Sequence, residues 1–599
     1  MILREIIHQI FSDALSKLAG TKLDARIEIA RDANFGDYAC TSAMDNQVRE
    51  ACGIKNPREL AAQLIANLDD RKDKYFKKIE IAGPGFINIT LRDDFLFSFI
   101  STAHEQGANY GSSKIDNPEN IIFEFVSANP TGPLNIVSAR AAALGDSCCN
   151  LLQAVGHKVN REYYVNDYGN QVRLLGISCL FRILEKKGIA LKFIDRTSDT
   201  VQYNQATGLP FPKDAYHGEY IIDVITKINA PEIPPAEIDR LNTLSKTDLA
   251  EADIESKILN QTLGEIAAKL GEAAINEFLK SHQSDLLQFR VSFDQFFKES
   301  SLHKEDKVMP LVQELGEYVY TENNKKVFAS SQFGDDKDRV IVREDGRPTY
   351  LLADIAYHQT KIKRNFTKII DIWGPDHHGY IARLTAALKV LGYKDGDFQV
   401  LIAQQVNLLD HGQPVVMSKR TGKIITLNEL INEIPIDVVR YFFVMRSFES
   451  HLDFDLAEAA DTSDKNPYYY VAYAHARIQS ILDKATATIT DKPSKQDPAD
   501  IDWTDERRRL MLMVARLPEE VKEAATEFSP HRLVSFLYQT ATAVSRFYGM
   551  RENKIIELDA KTALVLISVL KATGLCLKNG LRLLGMQAPD RLERESDDS

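Results

Sequence analysis

Apolar and polar positions change rhythm along the 599-residue chain, and each change marks an element. Early on, ARIEIARD and KKIEIAGPGFINITL alternate with a period of two, as strands do. NPRELAAQLIANL instead repeats at helical spacing behind Asn56, a capping residue type. The opening MILREIIHQIFSDALSKL reads as an amphipathic helix rather than an export signal, because Glu5, His8 and Asp13 break its apolar run. Turn signals at Gly36-Asp37 and Gly83-Pro84-Gly85 complete an α+β module over residues 1–110, and QGANYGSSKIDNPEN reads as a linker. At residue 121 the pattern shifts. IIFEFVSA is almost unbroken apolar, as expected of a strand buried on both faces of a parallel sheet. The turn NPTGPL follows, then a helix from Asn135 to Val155 stopped by Gly156, then a strand over KVNREYYVND. That succession is a βαβ unit and predicts an α/β fold around a parallel sheet. Residues 185–300 read as a charged, mostly helical insertion with a loop at GLPFPKDAYHG. Strand patterns return at RVIVRE, KIIDIWG and FQVLIAQQVNLL, alternating with helices such as LLADIAYHQTKI, so the sheet domain is expected over 116–455. The remainder, 456–599, is patterned as an α-helical bundle.

Composition narrows the class. A hydrophobic fraction of 44% with 26% charged residues fits a globular protein and excludes a disordered or fibrous one. No stretch approaches the ~20 consecutive apolar residues of a membrane helix, so no membrane partner is expected and the cytoplasm is the default location. The six cysteines form no C-x-x-C pair, which argues against a disulfide scaffold or a zinc site; adjacent Cys148 and Cys149 read as core filler. A net charge of −12 disfavours non-specific polyanion binding while leaving room for a local basic surface.

Two segments carry chemistry. In Glu124-Phe-Val-Ser-Ala-Asn-Pro-Thr-Gly-Pro-Leu-Asn-Ile-Val-Ser-Ala-Arg140, a strand end delivers Glu124, Ser127 and Asn129 to the carboxyl edge of the sheet, where open α/β folds bind ligands. Pro130, Gly132 and Pro133 tighten the turn, and the helix behind it points unpaired N–H groups at the crevice, a setting that favours phosphate. An ordinary polar strand–helix connection is the alternative. In the second segment, Gln413-Pro-Val-Val-Met-Ser-Lys-Arg-Thr-Gly-Lys423, the side chains Lys419, Arg420 and Lys423 suit a polyphosphate, with Ser418 and Gly422 allowing close backbone approach.

With these segments in this order the chain resembles the bacterial-type arginyl-tRNA synthetases, a class I aminoacyl-tRNA synthetase family. NFGDYAC and IAGPGFINI resemble its N-terminal tRNA-contacting domain. FVSANPTGPL, REYYVNDYGNQV, FGDDKDRVIVREDGRPTYLLADIAYH and WGPDHHGYIARL resemble its catalytic domain. LDFDL, NPYYYVAYAHARI and GLRLLGMQAP resemble the stem and anticodon-binding bundle. The resemblance implies a Rossmann-like catalytic domain that activates L-arginine with ATP, magnesium travelling on the nucleotide, and transfers it to the 3′ end of tRNA(Arg). It also implies a monomer.

Residue chemistry fits those roles. Tyr350 and Asp354 share a helix face, with Asp354 suited to accept from a guanidinium and Tyr350 to pack on it. Glu124 is a candidate second carboxylate, and Ser127 and Asn129 are candidates for the α-amino and carboxylate groups. The resemblance assigns Pro133, Asn135, Ser138, Gly374, Asp376, His377, His378, Met417, Ser418, Lys419 and Arg420 to ATP, with Lys419, Asn135 and Ser138 acting on the phosphates. Asp376 and the two histidines alone suggest a metal, but adjacent side chains rarely converge on one ion, and no metal site is expected. For tRNA, Phe86 and Asn88 emerge on one strand face, a ring for stacking beside an amide; a Phe buried in the core is the alternative. Tyr469, Tyr473, His475 and Arg477 are candidates against the anticodon loop.

One signature departs from the family. Where His-Ile-Gly-His is usual, this chain has Asn135, Ile136, Val137 and Ser138, so both imidazoles and the glycine are gone. Adenylation is expected to be weakened, since a lost preorganised donor costs about 10²–10³ in rate. The second signature keeps Lys419 and lacks its leading lysine, and Ala472 and Leu592 replace the family's usual glutamine and methionine. The alternative is a non-catalytic relative that binds RNA only.

Overall fold

The computed structural model describes residues 2–195, 202–415, 425–488 and 501–592. The chain forms two compact units, Met1–Asp116 with Asn150–Gly156 and Asp461–Ser599, and Asn117–Cys149 with His157–Ala460.

In the first unit, a four-stranded antiparallel sheet is ordered Ile27–Ile29, Tyr38–Cys40, Phe86–Leu91, Phe76–Ala82. Asn56 caps the helix Pro57–Ala66 by accepting from Arg58 N–H at 2.9 Å. The helices Pro467–Thr488, Asp505–Thr526, Pro530–Gly549 and Ala560–Leu583 form the bundle. Ala560–Leu583 is long and apolar enough to cross a bilayer, yet its apolar positions are buried against the neighbouring helices. The stretch read as a linker is pinned instead. Tyr110 is buried and donates to the Val514 carbonyl at 2.7 Å, while Asn579 Nδ2 donates to the Gly107 and Tyr110 carbonyls. A tyrosine buried from inside a Gly/Ser/Asn run gave no periodic signal. Arg508 ties the sheet to the bundle, donating to both carboxylate oxygens of Asp37 at 2.7 and 2.6 Å.

In the second unit, five parallel strands are ordered Gln295–Lys298, Lys158–Val165, Asn120–Glu124, Lys368–Trp373, Phe398–Ile402. Ile121, Ile122 and Phe123 are buried, as a strand covered on both faces requires. The chain winds outward in opposite directions from Asn120–Glu124, so the topological switch lies between that strand and Lys368–Trp373, where Glu124 is paired with Asp371. The end of the stretch read as insertion, Gln295–Lys298, is the sheet's edge strand. RVIVRE lies outside the parallel sheet: Arg339–Val342 joins Val319–Glu322 and Lys325–Phe328 in a small antiparallel sheet. FQVLIAQQVNLL breaks into two strands, the second of which, Val406–Asp410, pairs with Leu452–Asp455. The helices Asn170–Lys186 and Gln261–Gln288 cross where two glycines meet the opposite backbone. A Cβ on Gly176 would lie 1.9 Å from the Ala267 carbonyl oxygen, and one on Gly271 2.5 Å from that of Val172.

Candidate active site

The turn after Asn120–Glu124 is strained. Val126 and Ser127 have φ of 69° and 38°, a region costly for a β-branched residue. Contacts hold it there. Ser127 N–H donates to the Phe125 carbonyl at 2.9 Å, and Ser127 Oγ donates to Glu124 Oε1 at 2.9 Å while accepting from Tyr164 N–H. The turn opens into a cleft of about 910 Å³ lined by Ser127, Asn129, Pro133, Asn135, Ser138 and, from the neighbouring strand end, His377. Gln405 and the Asp214–Gly218 loop face the same cleft.

At the head of the helix Ile136–Ala154, Asn135 is the cap. Its Oδ1 accepts from Ser138 N–H at 3.0 Å and from Ser138 Oγ at 3.2 Å, which leaves the Nδ2 amide as its donor. Val137 lines the cleft beside it. Asn135 also forms a backbone bridge with Thr426, and Leu427 N–H donates to the Leu134 carbonyl at 2.8 Å. The chain that follows the basic segment is thus fastened to the start of this helix. Met417, Ser418, Lys419 and Arg420 themselves lie outside the described residues.

Deeper in the unit, acids gather around two tyrosines. Asp354, on the helix Tyr350–Lys363, accepts from Tyr380 O–H at 2.7 Å. Burial lifts its carboxyl above the usual range, although the Tyr380 bond opposes the shift. Glu299 opens the helix Glu299–Lys304, and its carboxyl is pushed up to about 7, by burial first and by the Asp354 charge second. The neighbouring Tyr164 hydroxyl opposes that rise. Sequence reading did not single out Glu299; the signal available was an acid at the end of an aromatic strand, FFKE, delivered to the same sheet edge as Glu124.

Glu124 has a different setting from the one expected. Lys361 Nζ contacts it at 2.7 Å and Asp371 at 3.0 Å, and Tyr357 O–H donates to it at 2.8 Å. His358 completes the cluster with Asp371 at 2.8 Å. Glu124, His358 and Asp371 lie close enough to share a cation, but Lys361, itself fully buried, already supplies the positive charge. The two acids hold the Lys361 ammonium well above its ordinary range, outweighing the cost of burial.

The other expected residues divide. Tyr350 is 72% exposed at the helix start, one turn before Asp354. Gly374 caps the turn Pro375–Tyr380, which carries Asp376, His377 and His378 at the surface, the His377 ring 6.2 Å from that of Trp373. Phe86 is 38% exposed and shares the open strand face with Asn88, while Ile87 and Ile89 are buried. Arg477 is exposed, its guanidinium 4.9 Å from the Tyr548 ring centroid, and Tyr469 and Tyr473 are half-buried. His475 is turned inward: it is fully buried, with Nδ1 2.9 Å from the Pro589 carbonyl oxygen. The helical spacing that presents Tyr473 and Arg477 puts residue 475 on the packed side.

Comparison with known proteins agrees with this anatomy. Three family models match: the arginyl tRNA synthetase N terminal domain over residues 5–91, the tRNA synthetases class I (R) catalytic domain over 100–192 and 269–439, and the DALR anticodon binding domain over 471–592. An arginine–tRNA ligase of Leptospira interrogans is 44% identical over 576 residues, covering 95% of this chain and 94% of its own. One from Bacillus subtilis is 38% identical over 575 residues, covering 94% of each chain. The arginyl-tRNA synthetase structure of Thermus thermophilus superposes with a TM-score of 0.74 over 99% of this chain and 100% of its own; at 21% identity it speaks to the fold alone. On the relatives' identity and coverage, together with three matched domains in order, the chain belongs to the arginyl-tRNA synthetase family.

Proposed function

We propose that the chain is an arginine–tRNA ligase, activating L-arginine with ATP and passing it to the 3′-terminal adenosine of tRNA(Arg). The observation that carries this reading is the pair Asp354, half-buried, and Glu299, buried, whose charges oppose each other. Such a pair is unfavourable until a cation arrives. A guanidinium is planar, always charged and able to donate to both. We assign the guanidinium to Asp354 and Glu299, rather than to Glu124, whose charge Lys361 already balances. Tyr350 then covers the bound side chain, and Ser127 and Asn129 orient the α-amino and carboxylate groups toward the cleft.

The arginine carboxylate oxygen attacks the α-phosphorus of ATP, the bond to the bridging oxygen breaks, and pyrophosphate leaves. To the phosphates we assign the Asn135 Nδ2 amide, the start of the helix Ile136–Ala154 and His377, which line the cleft, and to the nucleoside Gly374, Asp376 and His378; Met417, Ser418, Lys419 and Arg420 are assigned to the phosphates on their sequence alone. Magnesium enters on the triphosphate as part of that substrate. In the second step a ribose hydroxyl of the terminal adenosine attacks the acyl carbon and AMP leaves. Phe86 and Asn88 offer a stacking ring and an amide to the tRNA; Tyr469, Tyr473 and Arg477 offer rings and donors to unstacked bases. We place the reaction in the cytoplasm and assign it to a monomer.

The altered signature motivates slower adenylation, because an amide cannot carry the positive charge of an imidazolium. It does not favour a non-catalytic role, which none of the compared relatives supports. Arginine-dependent ATP–pyrophosphate exchange, run with tRNA(Arg) present, tests the assignment. Exchange above background is expected; its absence at saturating ATP would overturn the ligase reading.

A further inference from the structure

The nucleotide turn is gripped from behind by two side chains that make no direct contribution to the cleft wall. His282, near the end of the helix Gln261–Gln288, is fully buried, and its Nε2 lies 2.7 Å from the Gly132 carbonyl oxygen. Its Nδ1 lies 3.0 Å from the hydroxyl of Tyr163, and that hydroxyl donates to the Ala128 carbonyl at 2.8 Å. Tyr163 is also fully buried, its ring fixed edge-on to Phe293 at 5.4 Å and tilted on Phe296 at 5.1 Å. Ala128 and Gly132 bracket Asn129 and Pro130 and both line the cleft, so the pair of side chains fastens the turn at its two ends.

Proton inventory defines the arrangement. A carbonyl only accepts, so Nε2 carries the hydrogen that reaches Gly132. Burial pushes the imidazole down to about 4, so at neutral pH Nδ1 is a lone pair and the single Tyr163 proton serves both it and Ala128. Every hydrogen in the cluster is spent on the turn or on the link between the two side chains. The helix bearing His282 is itself held against Asn170–Lys186 at the Gly176 and Gly271 crossing, which gives the imidazole a fixed mount.

We propose that His282 and Tyr163 are positioning residues for the ATP subsite: they hold the Ala128–Gly132 turn, through its carbonyls, in the conformation that receives the nucleotide. The proposal rests on the ligase reading for its kinetic readout. With Asn135 and Ser138 in place of two imidazoles, the backbone carries more of the nucleotide-binding task, and its placement matters more.

The test uses the full chain with His282→Phe, His282→Gln and Tyr163→Phe. Phenylalanine keeps ring volume and removes the donor, whereas the glutamine amide reaches about as far as Nε2 and can still donate. In pyrophosphate exchange His282→Phe is expected to raise the KM for ATP about tenfold with the KM for arginine within twofold. His282→Gln should recover most of the loss, and Tyr163→Phe should move the ATP KM in the same direction by less. Calorimetric titration with ATP should show the same ranking of affinities, and it reads the subsite even if wild-type exchange is absent, an outcome that would sink the ligase assignment separately. A folded His282→Phe variant with wild-type ATP affinity overturns the proposal. So does a Gln variant no better than Phe, or an equal rise in both KM values. If the Phe variant does not fold, Tyr163→Phe and His282→Gln decide alone, and wild-type ATP affinity in Tyr163→Phe counts against it.

Discussion

Burial, and after it the Asp354 charge, pushes the Glu299 carboxyl up to about 7, so the arginine pocket proposed above should bind in a pH-dependent way. The guanidinium of arginine stays charged throughout, so the pocket's own protonation decides the affinity. A carboxyl near 7 is about nine-tenths ionised at pH 8 and about one-tenth ionised at pH 6, so the KM for arginine should rise about tenfold over that interval. Glu299→Gln should flatten the profile and raise the KM at pH 8 by about 30- to 1000-fold, corresponding to the ~2–4 kcal/mol lost when a buried charge pair is truncated on one side. The unliganded protein should respond with the opposite sign. A carboxyl raised from its ordinary value of about 4.5 to about 7 makes the native state hold its proton longer than the unfolded state does. Stability therefore falls as pH rises through that window, by about 3 kcal/mol in full, and Glu299→Gln should melt higher than wild type at pH 8. Initial-rate exchange assays from pH 6 to 8.5 and thermal melts of both proteins measure the two effects. An arginine KM constant within twofold across that range in the wild type would refute the pocket as described, as would a Gln variant within threefold of wild type.

Removing Lys361 by Lys361→Met leaves Glu124 and Asp371 buried without their cation, and should cost about 3–5 kcal/mol in urea unfolding. Restoring His, Gly and His at Asn135, Val137 and Ser138 together should raise the exchange kcat by about 10²-fold, read at saturating arginine and ATP. Phe86→Ala should raise the KM for tRNA in aminoacylation while the arginine and ATP values stay within twofold, since its ring lies on the open face of the N-terminal sheet.

Elements with one dominant period were legible. IIFEF read as a doubly covered strand and Asn56 before Pro57 as a helix start, and both are so in the structure. What escaped was set by partners distant in sequence. Glu299 comes within reach of the Asp354 charge because Gln295–Lys298 docks as the edge strand beside Lys158–Val165, and the short FFKE signal does not by itself say which strand it joins. Glu124 looked free because its neutralising partner, Lys361, lies on a helix hundreds of residues later. His475 shared a plausible block with Tyr473 and Arg477, yet two residues along a helix turn a side chain through most of a half-circle, and burial took it. Motif order identified the family; charge pairing across the sheet edge had to be seen.

Asn135 shows why a changed signature residue need not mean a discarded site. A helix start presents unsatisfied N–H groups, and asparagine is among the best residues for occupying one of them. Here Oδ1 takes the Ser138 N–H and hydroxyl, so the cap fixes the first turn while Nδ2 is left as a donor. The substitution exchanges a chargeable donor for a firmer helix start, at a position whose backbone is bridged to Thr426, where the chain leaves the basic segment. A site under no demand to hold phosphates gains little from a strained turn, a capped helix and a fastened loop exit converging on one cleft. Strain at Val126 and Ser127 costs about 1–3 kcal/mol per residue and persists only where the surroundings enforce it. The enforcing contacts, from Glu124, Tyr164, Tyr163 and His282, come from three separate elements and all act on the turn that would face ATP.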